Sequence, residues 1–174
     1  VGIGTAVPDE KLHVSGIVKI TDDTYWTGDG SGIPYGAFGG DEINWSQAAA
    51  VQNTWYEITD ADTYVHEVNL VSFADSELTV LKAGRYEIIY HAAVEGSIVG
   101  TNIESGIMIN AGTPTRGINH TNIPVVKETA IGGVAIIDCA ANDVVSLGIR
   151  TNDATTPTLT VMHIMMSVKM VGGT

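Results

Sequence analysis

Cysteine is nearly absent. Cys139 is the single one in 174 residues, which excludes a disulfide framework and a cysteine-based zinc site. Its segment is apolar, so it reads as a buried, inert thiol. Basic residues are also few: 8 Lys and Arg stand against 20 Asp and Glu, for a net charge of −12. That balance argues against nucleic acid as a partner and against adsorption on an anionic membrane. Long apolar runs are missing too. The longest uncharged one, 130–137, is interrupted by Gly132 and Gly133 and falls well short of the roughly 18 residues that membrane insertion needs.

Signatures of catalysis are equally scarce. The five histidines (His13, His66, His91, His120 and His163) are scattered, and no H-E-x-x-H, C-x-x-C or G-x-S-x-G sequence occurs. His66 and Glu67 are neighbours, and neighbours in a strand point to opposite faces, so they do not share a site. The Gly-Asp-Gly-Ser-Gly stretch at 28–32 lacks the lysine and the following helix of a phosphate loop. The expectation is a protein that is not an enzyme and holds no cofactor. Asp22-Asp23 and Asp60-Ala61-Asp62 are candidate Ca2+ ligands on acidic loops, with solvated surface carboxylates the stronger reading.

What is present is a strand pattern. No window of about 11 residues carries a helical stripe; at most 47–52, with Ala48, Ala49 and Ala50, forms a helical turn. Alternation is clear at 85–95, where Tyr86, Ile88, Tyr90, Ala92 and Val94 share one face. At 143–151 it puts Val145, Leu147 and Ile149 on one side and Val144, Ser146, Gly148 and Arg150 on the other. Further runs lie at 54–58, 65–73, 77–81, 103–110, 125–139 and 158–171, separated by turn signals such as Asn110-Ala111-Gly112 and Ala141-Asn142-Asp143. Short, evenly spaced strands predict an all-β antiparallel sandwich or jelly roll. Three zones follow: a motif-like lead at 1–20, a Gly- and Asp-rich connector at 21–52, and the head domain at 53–174. The aromatic residues Tyr25, Trp26, Tyr35, Trp45 and Trp55 cluster early; stacking on sugars is one reading, and packing of the connector on the head is the stronger one.

The last run is apolar on both faces. Met162, Ile164, Met166, Val168 and Met170 alternate with Leu159, Val161, His163 and Met165, whereas a sandwich strand shows one face to water. The 85–95 run repeats this mildly, with Ile89, His91 and Ala93 on its back. Such a two-faced sheet predicts a subunit interface.

Two stretches carry a resemblance. Val1-Gly2-Ile3-Gly4-Thr5, Pro8 and Lys11-Leu12-His13-Val14-Ser15-Gly16 resemble the G-I-G-T-x-x-P-x-x-K-L-H-V-x-G stem element of phage tail fibres, head fibres and related trimeric surface proteins. Leu81-Lys82-Ala83-Gly84-Arg85-Tyr86-Glu87-Ile88, the 132–147 pair and the closing 166–173 run resemble the globular jelly-roll heads of the tumour-necrosis-factor and complement type. That resemblance implies a three-fold homotrimer with Ile89, His91, Leu159, Val161, His163 and Met165 near the axis. It also implies a short N-terminal β stem that joins other virion proteins, and assembly in a host cytoplasm into a particle. The expected role is a trimeric phage fibre displaying its head for attachment to a host-surface protein or glycan. Two alternatives stand beside it: a capsid decoration protein that stabilises a shell, and a bacterial surface carbohydrate-binding module. Loops carry contacts on a rigid scaffold, so the candidate ligand-contact residues are Asn102 in the turn 96–102, Arg116, Asn119 and His120 in 113–122, and Asn152 in 152–156.

Overall fold

A computed structural model describes residues 33–124 and 127–173. The stem motif, Asp22, Asp23, Tyr25 and Trp26 lie outside the described residues. Twelve strands run through the described part: β1 (Tyr35–Asp41), β2 (Ser46–Gln47), β3 (Tyr56–Glu57), β4 (Tyr64–Asn69), β5 (Val71–Ala74), β6 (Glu77–Val80), β7 (Gly84–Gly96), β8 (Asn102–Ile109), β9 (Asn119–Asn122), β10 (Thr129–Cys139), β11 (Val144–Thr151) and β12 (Leu159–Gly172). They form two antiparallel sheets. Sheet A has the order β10-β7-β12-β1-β4 with β2 added beside β12; sheet B has the order β5-β6-β11-β8-β9 with β3 added beside β11. The fold is an all-β jelly roll, and among the described residues no helix is long and apolar enough to cross a membrane.

The core is where alternation puts it. Tyr86, Ile88, Tyr90, Ala92 and Val94 of β7 face Val145, Leu147 and Ile149 of β11, all nearly or fully buried. Each inward side chain of this kind contributes about 1.5–3 kcal/mol of burial. Tyr90 carries a polar handle across the sandwich. Its hydroxyl is 2.9 Å from Ser105 Oγ and donates to the Gly117 carbonyl at 2.9 Å. Cys139 is buried as expected, and burial, with Asp143 and Asp138 nearby, pushes its thiol up to about 11.

Four sequence expectations change. The connector does not extend to residue 52: residues 35–41 form β1, paired on both sides with β12 and β4 in the middle of sheet A. Its sequence Tyr-Gly-Ala-Phe-Gly-Gly-Asp lacks the β-branched signal because its neighbours crowd it. A Cβ on Gly36 would lie 2.8 Å from Val71 Cγ1, and one on Gly40 would lie 2.6 Å from Ile43 Cγ2. The run 65–73 is two strands, broken at Leu70 (φ 53), where the chain turns from sheet A to sheet B. The 47–52 segment leaves β2 through Ala49 at φ 48 and forms no helical turn.

The fourth change bears on the interface. Leu159 and Val161 are fully buried in their own sandwich. A register shift between Val161 and His163 inserts Met162 as a bulge against β7, and one extra residue inverts the alternation. Before the bulge Leu159 and Val161 point inward; after it Ile164, Met166 and Val168 do. The two residues therefore belong to the core of a single chain and not to an axis. Beyond the bulge His163 and Met165 remain on the outer face, as expected.

Candidate functional site

The two outer faces of the sandwich are treated differently by the chain. Outward positions on sheet B are Glu104, Gly106 and Met108 of β8 with Ser146, Gly148 and Arg150 of β11, and all but Arg150 are buried. Two loops cover them. Pro114 sits over Gly106, where a Cβ would lie 2.7 Å from Pro114 Cβ, and Trp55 approaches Gly148. The Ser146 hydroxyl donates to the Glu57 carboxylate.

Among the described residues sheet A has no such cover. Ile89 pairs in register with Val134 on one side and Ser167 on the other, and His91 pairs with Gly132 and Met165. Val134 is 60% exposed, Met165 49%, Ile136 47% and Ile89 38%, so neighbouring strands present one apolar patch with Ala37 and Gly39 beside it. His163 lies at the rim, its Nδ1 against the Asp41 carboxylate and its Nε2 3.6 Å from Glu128.

At one end of sheet B the cover opens on a polar cleft of about 480 Å3, lined by Asn102, Ile103, His120, Thr121, Asn122, Asn152 and Asp153. Strand pairing builds it. Asn102 stands opposite Asn122, and Glu104 opposite both His120 and Arg150. Glu104, 4% exposed, is the anchor. It accepts from Arg150 Nε at 2.7 Å and from Asn152 Nδ2, with His120 Nδ1 3.1 Å away. Burial opposes its ionisation, but the Asn152 and Arg150 hydrogen bonds and the Arg150 and His120 charges outweigh that and hold its carboxyl below the ordinary value. The Arg150 guanidinium in turn lies 4.8 Å over the Trp55 ring.

The cleft mouth is tied by a second network. Asp153 accepts from the Asn102 backbone N–H at 2.5 Å and from Asn102 Nδ2 at 3.1 Å. Asn122 Nδ2 donates to Asn102 Oδ1 at 3.0 Å and to the Gly100 carbonyl at 2.8 Å. Gln52 Nε2 donates to the Asn152 carbonyl at 2.6 Å. Among the described residues one buried atom is left over: Asn152 Oδ1 has no hydrogen-bond partner.

Of the five candidate contact residues, the structure gathers Asn102, His120 and Asn152 into this cleft. Arg116 and Asn119 go elsewhere and pin the 113–118 loop to β10. Arg116 Nη1 donates to the Ile136 carbonyl at 3.3 Å, and Asn119 Nδ2 to the Gly132 carbonyl at 2.9 Å. Asp60 and Asp62 form a closed turn, with Asp60 Oδ1 accepting from the Asp62 N–H at 2.7 Å. Among the described residues no three His, Cys, Asp or Glu side chains gather as a metal site would require. Asn122 and Asp153 come from the candidate segments 113–122 and 152–156, whereas Glu104 and Arg150 carry no site signal in the sequence. Arg150 was placed on the correct face by alternation, but only the pairing of β8 with β11 joins it to Glu104.

The architecture has known counterparts. No family model matches this chain, and no curated protein matches it. Among solved structures, Eiger TNF from S. frugiperda is similar over 82% of this chain and 94% of its own, at 10% identity and a TM-score of 0.53. The globular domain of zebrafish complement 1qA protein is similar over 82% and 99%, at 12% identity and 0.52. PRD1 vertex protein P5 is similar over 80% and 97%, at 10% identity and 0.50. At such identities the likeness establishes the fold: a TNF- and complement-type jelly roll.

Proposed function

We propose that this protein is a non-enzymatic, trimeric structural protein of a virus particle, in which three jelly rolls pack through the outer face of sheet A and present sheet B to the surroundings. The observation that carries the reading is the asymmetry of the two faces. Among the described residues two loops cover sheet B, while Val134, Ile136, Ile89 and Met165 stay exposed on sheet A. A contiguous apolar patch on a sheet is covered by a partner in a soluble assembly. Three-fold symmetry is what the resemblance to tumour-necrosis-factor and complement heads implies.

The virion setting is supported by the stem-like sequence at 1–16 and by the shared fold with a protein described as a vertex protein. Display for host attachment is the role this arrangement serves best, because three copies of a weak site gain avidity when held on one rigid body. The vertex likeness also favours a second reading, in which the head sits on the shell as a decoration. Electron microscopy of labelled particles separates the two by position.

The architecture is tested by mass in solution. Light scattering is expected to give about three times 18.3 kDa. The mass of one chain overturns the trimer.

A further inference from the structure

We infer that the cleft lined by Asn102, His120, Asn122, Asn152 and Asp153 binds a neutral oligosaccharide, an inference that rests on the attachment reading and names its ligand class. The first argument is chemical. Three amides, an imidazole, a threonine hydroxyl and a carboxylate converge within one cleft, so donors and acceptors alternate over short distances. Vicinal hydroxyls, each able to donate and accept, match that alternation.

The second argument is charge. The Glu104 carboxylate is matched by Arg150 inside the protein. Asp153 then leaves the mouth with a carboxylate, and the chain carries −12 overall. Both repel anionic ligands, which selects neutral sugars over sialylated or sulfated ones.

The third argument is preorganisation. Asn102, Asn122 and Asp153 hold one another, and Glu104 fixes Asn152 from beneath, so little side-chain ordering is lost on binding. The cleft volume of about 480 Å3 lies within the roughly 300–1,000 Å3 of small-ligand sites. Its place on sheet B keeps it clear of the bare face of sheet A.

The test uses the whole chain on an array of neutral, sialylated and sulfated oligosaccharides. Binding is expected among the neutral glycans only. It is expected to fall at least tenfold in Asn122→Ala and in Asp153→Asn and to persist in Arg116→Ala, whose side chain reaches β10 instead. Thermal melting confirms that each variant is folded. A silent array, binding confined to acidic glycans, or equal binding by all variants overturns the inference. Light scattering on the same samples keeps the two claims apart. A single-chain mass removes the trimer whatever the array shows. A silent array with a three-chain mass removes the sugar site and leaves the trimer standing.

Discussion

Arg150→Ala is expected to lower the melting temperature by about 5–15 °C. Removing one partner of a buried ion pair leaves the other charge uncompensated, at about 3–5 kcal/mol. Arg150 is 25% exposed at its side chain, so water re-enters and the loss falls to about 2–4 kcal/mol. For a chain of this length each kcal/mol moves Tm by about 2–4 °C. Arg150→Lys restores charge without the planar fork and recovers part of the loss. The double variant Glu104→Gln with Arg150→Ala is expected to be more stable than Arg150→Ala alone, because no buried charge is left. Differential scanning calorimetry reads all three.

The pH dependence has a definite sign. The Glu104 carboxyl titrates below its ordinary value of 4.5 in the folded chain. Its stabilising contribution is therefore complete above that value and is lost as pH falls through the lower, folded one. In Arg150→Ala a main cause of the depression is gone, so the gap between the unfolded and folded values narrows and this part of the acid lability is expected to shrink in melting curves recorded against pH.

Ile89→Asp is expected to convert the proposed trimer into single folded chains of 18.3 kDa. Ile89 sits between Val134 and Ser167 in the middle rows of sheet A. In a lone chain the new carboxylate is solvated and costs little. In a three-fold assembly three of them are buried against apolar neighbours and one another, which costs several kcal/mol per contact. Light scattering with circular dichroism decides the matter. A three-chain mass with an unchanged spectrum would move the interface away from this face.

Period-2 patterning made β7 and β11 readable to the residue, because both are central strands with one face in the core. The same rule failed on β12. A single bulge at Met162 inverts the pattern halfway, and a continuous reading then sends Leu159 and Val161 to the wrong side. β1 was illegible for the opposite reason: close approach of Val71, Ile43 and Thr63 demands glycine, and glycine reads as a loop. Half of the cleft was legible, since Asn102, His120 and Asn152 stand in turn-rich segments. Its anchor was not. Glu104 and Arg150 lie 46 residues apart, and nothing local to either announces that β8 and β11 run side by side.

Cys139 has a use beyond packing. It is the chain's sole thiol, and it is both buried and pushed up to about 11. A cysteine placed by Val99→Cys, on a position 62% exposed, is then the one thiolate a maleimide or spin reagent meets at neutral pH. Each polypeptide acquires one beacon. In the proposed trimer those beacons form an equilateral triangle with one spacing, so a pulsed-resonance ruler reads symmetry and separation from a single peak.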